Sequence, residues 1–142
     1  MRKFDNFSPG MYNAGKGVGS MDKLEFEKIV CERYGVEGDH PFEGDFDTTV
    51  FRHPSSRKWF GIVMSVPKCR LEGDSREIVN IINVKCPYEV ASSFYSERGF
   101  YPAYHMNKKH WLSILLDGSV DLDTVLWFMD ISHDLTRGKK KK

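Results

Sequence analysis

The chain has 142 residues, 40% of them hydrophobic and 13% aromatic, with 21 basic against 20 acidic residues and a net charge of +1. This describes one domain with a single core and excludes a disordered protein; no apolar run reaches the roughly 18–20 residues of a membrane-spanning helix. Near-neutral bulk charge by itself says nothing about a nucleic-acid partner; without its two ends the folded region carries about −6, which is unfavourable for general polyanion binding, so any nucleic-acid contact must be local.

Residues 1–20 carry Gly10, Gly15, Gly17 and Gly19 and no sustained period. They read as a flexible leader or an expression remnant that adds little to the core, and ordered patterning starts at Met21. From Asp22, Phe26, Ile29, Val30 and Tyr34 make one apolar stripe of a helix that Gly35 stops. After a polar segment with Pro41 and Gly44, Thr48–His53 and Lys58–Val66 read as strands joined by a short hairpin connection, Pro54–Arg57. Pro67 ends the second strand, and Glu77–Lys85, rich in Ile and Val, is the third.

Pro87 opens a second helix with Val90, Ala91, Phe94 and Tyr95 on one side and Gly99 as its stop. Tyr101–Met106 and His110–Leu116 read as two strands around a tight Asn107-Lys108-Lys109 connection. Asp117-Gly118-Ser119 turns into a last helix striped by Leu122, Val125, Leu126, Met129 and His133. The order α-β-β-β-α-β-β-α, with hairpin-length links, predicts an α+β two-layer sandwich of an antiparallel sheet with helices on one face. The domain spans 21–136, and 137–142 is a basic tail.

Located charges say more than their sum. Residues 21–47 hold nine acids against three bases, and 112–136 hold five aspartates and no base. Between them, residues 48–111 hold ten bases against five acids, together with three of the five histidines. A basic middle is therefore bracketed by acidic ends, and the tail adds five more positive charges.

Chemistry is sparse. Cys31, Cys69 and Cys86 are scattered, without a CxxC pair, which fits reduced thiols in a cytoplasm rather than disulfides or structural zinc. Cys86, at the end of an apolar strand, reads as a buried structural thiol rather than a nucleophile. Gly15-Lys16-Gly17-Val18-Gly19 has the wrong spacing and context for a phosphate loop. His105 and His110 lack a third ligand at a telling spacing, so no metal and no cofactor is expected, and the protein reads as a non-enzyme. The densest constellation is Tyr101–Trp111, which mixes Tyr101, Tyr104 and Trp111 with His105, Asn107, Lys108, Lys109 and His110. Arg52, His53, Arg57, Lys58 and Trp59 repeat the theme upstream. Lysines at a hairpin tip reach phosphates and aromatic rings stack on bases, although Trp111 taken alone reads first as core.

These runs carry a resemblance. Thr49-Val-Phe-Arg-His53, Lys58-Trp-Phe-Gly61, Val84-Lys-Cys-Pro87, the whole of Tyr101–Trp111, Asp117-Gly-Ser119 and Ile131–Thr136 resemble the MmcQ/YjbR family of small bacterial proteins, over roughly 21–136. His133 departs from it, standing where the family more often has tyrosine. The resemblance implies a CyaY-like, secretion-chaperone-like sandwich and DNA binding through a double-wing arrangement, with no reaction or catalytic residue to carry over. The wings would be the two basic hairpins, with Arg52, His53, Arg57, Lys58, His105, Asn107, Lys108, Lys109, His110 and Trp111 as contacts. By the same likeness of architecture, a protein-interaction module and a frataxin-like metal-handling domain are the alternatives.

Overall fold

The computed structural model describes residues 22–45 and 47–138; the expected leader and Lys139–Lys142 lie outside the described residues. Helix α1 spans Lys23–Tyr34 and buries Phe26 and Val30 from the predicted stripe. It closes on Gly35, whose left-handed φ of 66° lets its N–H return to the Cys31 carbonyl at 2.9 Å. Strands β1 (Thr49–Arg52), β2 (Trp59–Pro67) and β3 (Ile78–Lys85) follow, with a 3-10 turn at Lys68–Arg70 after β2. Helix α2 (Tyr88–Ser93), strands β4 (Phe100–Pro102) and β5 (Trp111–Leu115) and helix α3 (Leu122–Thr136) complete the expected order.

The five strands form one antiparallel sheet in the order β1-β2-β3-β5-β4. Alternation along the strands divides the interior in two. Phe51, Val63, Ile82, Val84, Leu112, Ile114 and Phe100 face the helices, where Phe26 and Val30 of α1, Ala91 of α2 and Val125, Phe128 and Met129 of α3 complete the main core. The opposite face carries a smaller cluster, Val66, Val79, Ile81, Tyr101 and Leu115, with Met64, Leu71 and Tyr104 packed against it. Gly61 is the close-approach point: a Cβ there would stand 3.1 Å from Met129 Cε and 3.4 Å from Ile82 Cδ1, so glycine lets α3 lie down on β2. The sandwich is the predicted one, with helices on one face.

Two local expectations are corrected. Strand β4 stops at Pro102, so the link to β5 runs through 103–110 rather than the three residues Asn107–Lys109. The physical reason is a buried polar knot. Ser113 Oγ donates to Asn83 Oδ1, Asn83 Nδ2 donates to the Tyr104 carbonyl at 3.2 Å, and the Tyr104 N–H donates to Ser113 Oγ at 2.9 Å. With Asn83 and Ser113 both fully buried, their polar groups need partners, and the Tyr104 backbone satisfies them only by leaving the ladder. The second correction concerns Trp111, which is half-buried at the sheet's end and not a core residue.

Candidate nucleic-acid interface

The β1–β2 turn and the 103–110 loop leave the sheet at the same end, because Arg52 pairs with Trp59 and Lys85 with Trp111 at the strand termini. The β1–β2 register slips there: Phe51 opposes Gly61 while Arg52 opposes Trp59, so Phe60 is the extra residue of a β-bulge. The bulge turns Phe60 into the main core at 0% exposure and leaves Trp59 on the side of Arg52. Phe60 packs against Tyr34, His53 and His133 with ring centroids 4.8–5.1 Å apart.

Ser132 opens the same end further. Its hydroxyl donates to the Phe60 carbonyl at 2.6 Å and accepts from the Lys85 N–H at 2.8 Å. Phe60 and Lys85 follow the last ladder pair of β2 and β3, Ile62 with Asn83, so a side chain of α3 stands in for the next backbone bond. The strands part around it, and Lys58, Trp59, Lys85, Trp111, Leu135 and Thr136 line a groove of about 290 Å³.

Paired residues project to one side of a sheet. Pairing sets Arg52 beside Trp59 and Lys85 beside Trp111, and the groove brings Trp59, Lys85 and Trp111 together, so the strand ends present Arg52, Trp59, Lys85 and Trp111 as a row of alternating cation and aromatic. The Arg52 guanidinium lies 5.9 Å from the Trp59 ring centroid, and Lys85 Nζ lies 5.5 Å from that of Trp111. Half-exposed Phe42 meets the outer side of Trp59 edge-on at 6.0 Å. Arg52 is also ion-paired to Asp39, whose carboxyl it holds below the usual carboxylate range.

Of the residues singled out in the sequence, Arg57, Lys58, His105, Asn107, Lys108, Lys109 and His110 are exposed around this groove or on the loops beside it. Arg57 and His105 hold their tips in the left-handed region, at φ of 66° and 61°. Asn107 organises its own loop: its side-chain oxygen accepts from the Lys109 N–H at 2.9 Å, and its carbonyl accepts from the N–H groups of His110 and Trp111. Lys108 Nζ donates to the Ala103 carbonyl at 2.9 Å. One residue does not join the surface: His53, 7% exposed, bonds Thr136 Oγ1 through Nε2 at 2.9 Å. Arg52 joins it only as a support for Trp59, its charge being committed to Asp39.

Sequence reasoning left Lys85 and Ser132 unremarked. The signal for Ser132 was available, since a hydroxyl three residues beyond Met129 on an apolar stripe needs a buried partner. Among the described residues, no group of three or more His, Cys, Asp or Glu is placed to hold a metal ion, and no helix is long and apolar enough to cross a membrane. Cys86 is 1% exposed, and burial pushes its thiol up to about 11.

His53 and His133 lie with ring centroids 4.4 Å apart, and His133 stacks on Tyr34 at 4.6 Å. Burial pushes both imidazoles below their ordinary 6.5; Lys58 and Arg137 act in the same direction on His53, while Asp130 and Asp134 oppose it at His133. Well above pH 6.5, from about 7.5 upward, both are essentially neutral whether folded or not. As the pH falls below that value the unfolded chain takes up protons first, so stability drops until the folded imidazoles also protonate. Thermal unfolding followed from about pH 7.5 to 5 is expected to show this loss, and the double variant His53→Gln, His133→Gln to flatten it. Asp39 and Asp45, held below 3.8 by Arg52 and by Thr48 respectively, act in a separate, lower window. A variant that keeps the full slope between pH 7.5 and 5 would refute the assignment.

A family model described as YjbR matches residues 32–135. The YyaQ protein of Bacillus subtilis (strain 168) is 34% identical over 110 residues, covering 78% of this chain and 93% of that relative. A Pseudomonas syringae protein solved by crystallography superposes with a TM-score of 0.79 at 33% identity, over 82% of this chain and 100% of the other. A Deinococcus radiodurans protein with the DUF419 domain superposes at 0.60 with 22% identity, over 81% of this chain and 78% of that one, a likeness of fold alone.

Proposed function

The chain belongs to the MmcQ/YjbR family, and from that premise we propose that it is a non-catalytic DNA-binding domain whose two basic turns act as wings. One observation carries the reading. The 53–58 turn and the 103–110 loop emerge at one end of the sheet, on either side of a cation–aromatic row, instead of at opposite ends where they could not serve one ligand. Arg57, Lys58, Lys108 and Lys109 are solvent-exposed, as phosphate contacts need, while Trp59 and Trp111 supply ring surface between the two turns. Screening limits the pull of these cations to about a Debye length, about 10 Å at 0.1 M salt, so contact is expected at this end of the sheet.

The buried, pushed-up Cys86 thiol is a poor nucleophile, which favours the non-catalytic reading. The test must discount the tail, since four adjacent lysines bind any polyanion. With Lys139–Lys142 all replaced by serine, the chain is expected to shift mixed-sequence DNA, duplex or single-stranded, at about 50 mM salt, and to release it as salt rises. Absence of any shift under those conditions would defeat the reading and leave a protein-interaction role in front.

A further inference from the structure

We propose that the Arg52–Trp59–Lys85–Trp111 row is a stacking platform for unpaired bases, so that the groove takes single-stranded DNA in preference to duplex. This deepens the DNA-binding reading and rests on it. The row draws on four strands, β1, β2, β3 and β5, and it lies at the end of the sheet rather than at a loop tip. Its two indoles belong to strand termini and are fixed by pairing, with a cation beside each: Arg52 at 5.9 Å from Trp59 and Lys85 at 5.5 Å from Trp111.

A duplex buries its base faces within its own stack and offers only groove edges and phosphates, for which exposed ring surface has no use. An unpaired base offers a flat apolar face, and the backbone beside it brings a phosphate that a lysine can meet. Here Lys85 stands between Trp59 and Trp111 and Lys58 stands beside them, while Arg52, ion-paired to Asp39, backs the Trp59 ring. The groove of about 290 Å³ between Trp59, Lys85, Trp111 and the end of α3 is of a size to admit a base ring, with Lys58 at its rim. Two structural devices keep it open, the Phe60 bulge and the Ser132 hydroxyl standing between β2 and β3. A sheet continuing its ladder to the end would close this space with backbone.

The occupant is named from charge complementarity. Lys58 and Lys85 line the groove, with exposed Lys108 and Lys109 on the loop that leads into Trp111, and its exposed hydrophobic neighbours are few, Leu135 and Phe42. The experiment uses the full chain and its tail-neutral form with three probes of about 12 nucleotides: oligothymidylate, the same backbone with abasic sites, and a hairpin duplex of equal phosphate count. Oligothymidylate is expected to bind at least about tenfold tighter than either other probe and to quench tryptophan emission, the direct signature of stacking on an indole. Trp111→Ala and Trp59→Leu are each expected to weaken oligothymidylate binding by about 5- to 100-fold, with abasic binding little changed. The unsubstituted chain carries the test even if a variant unfolds. Equal binding of oligothymidylate and abasic probe without quenching, or preference for the duplex, would overturn the platform and leave the DNA-binding reading standing. No binding to any probe would overturn both.

Discussion

Replacement of Arg57, Lys58, Lys108 and Lys109 together by alanine is expected to weaken DNA binding at about 50 mM salt by a hundredfold or more. The same change should lower the slope of log K against log salt by roughly 3 to 4, since each phosphate contact contributes about 0.9 on duplex and about 0.7 on a single strand. All four side chains are exposed on the two turns, so the loss falls on binding rather than on the core. Lys108 is the one with a part in the fold, through its bond to the Ala103 carbonyl, and the single changes at Arg57, Lys58 and Lys109 separate the two roles. Arg70 and Arg76 provide the control. They are exposed where β2 ends and before β3 begins, at the far end of the sheet, and their replacement is expected to leave the slope unchanged. A slope that falls equally for both sets would mean diffuse attraction with no wing surface. Salt-titrated anisotropy on the tail-neutral chain makes the measurement.

The parts of this molecule that sequence reveals are those set by local pattern. Phe26 and Val30 announce which side of α1 is buried, Gly35 announces its end, and the β-branched run Ile78–Lys85 announces the central strand. Tyr101–Met106 misleads because its aromatic residues suit a strand. Asn83 and Ser113, from β3 and β5, draw the Tyr104 backbone out of the ladder, a demand invisible within residues 101–106. The site divides in the same way. Turn-tip cations are legible because a polar tip between two strands has nowhere to go but solvent. The Arg52–Trp59–Lys85–Trp111 row is not, because its members come from four strands and meet only where two strand pairs flank the groove. His53 shows the reverse error: beside Arg52 and Pro54 it looks like a wing residue, yet one step along a strand reverses the face, and it points to Thr136 and His133.

Phe60→Ala is the substitution expected to cost the most stability. The side chain is fully buried and touches rings from α1, β1, the turn after β1 and α3, namely Tyr34, Phe51, His53 and His133. Truncating a buried phenylalanine costs about 3–5 kcal/mol, a large share of the 5–15 kcal/mol that holds a domain folded. At roughly 4 °C per kcal/mol for a chain of this size, the melting temperature should fall by about 10–20 °C. The consequences reach the groove, because Phe60 is the residue the bulge turns inward, and its anchorage fixes where Trp59 stands. Below the lowered melting point the variant is therefore expected to bind oligothymidylate more weakly and to quench less than the unsubstituted chain. It should also soften the pH dependence between about 7.5 and 5: water admitted beside His53 and His133 relieves the burial that holds both imidazoles down. Ser132→Ala is the companion change. It leaves the Phe60 carbonyl and the Lys85 N–H without the hydroxyl that joins them, at a cost of about 1–3 kcal/mol. It should disturb Lys85 and the groove while leaving the histidine rings packed, so its pH profile stays that of the unsubstituted chain. If Phe60→Ala melts within about 2 °C of the unsubstituted chain, a shift worth under 1 kcal/mol, the bulge does not anchor the site.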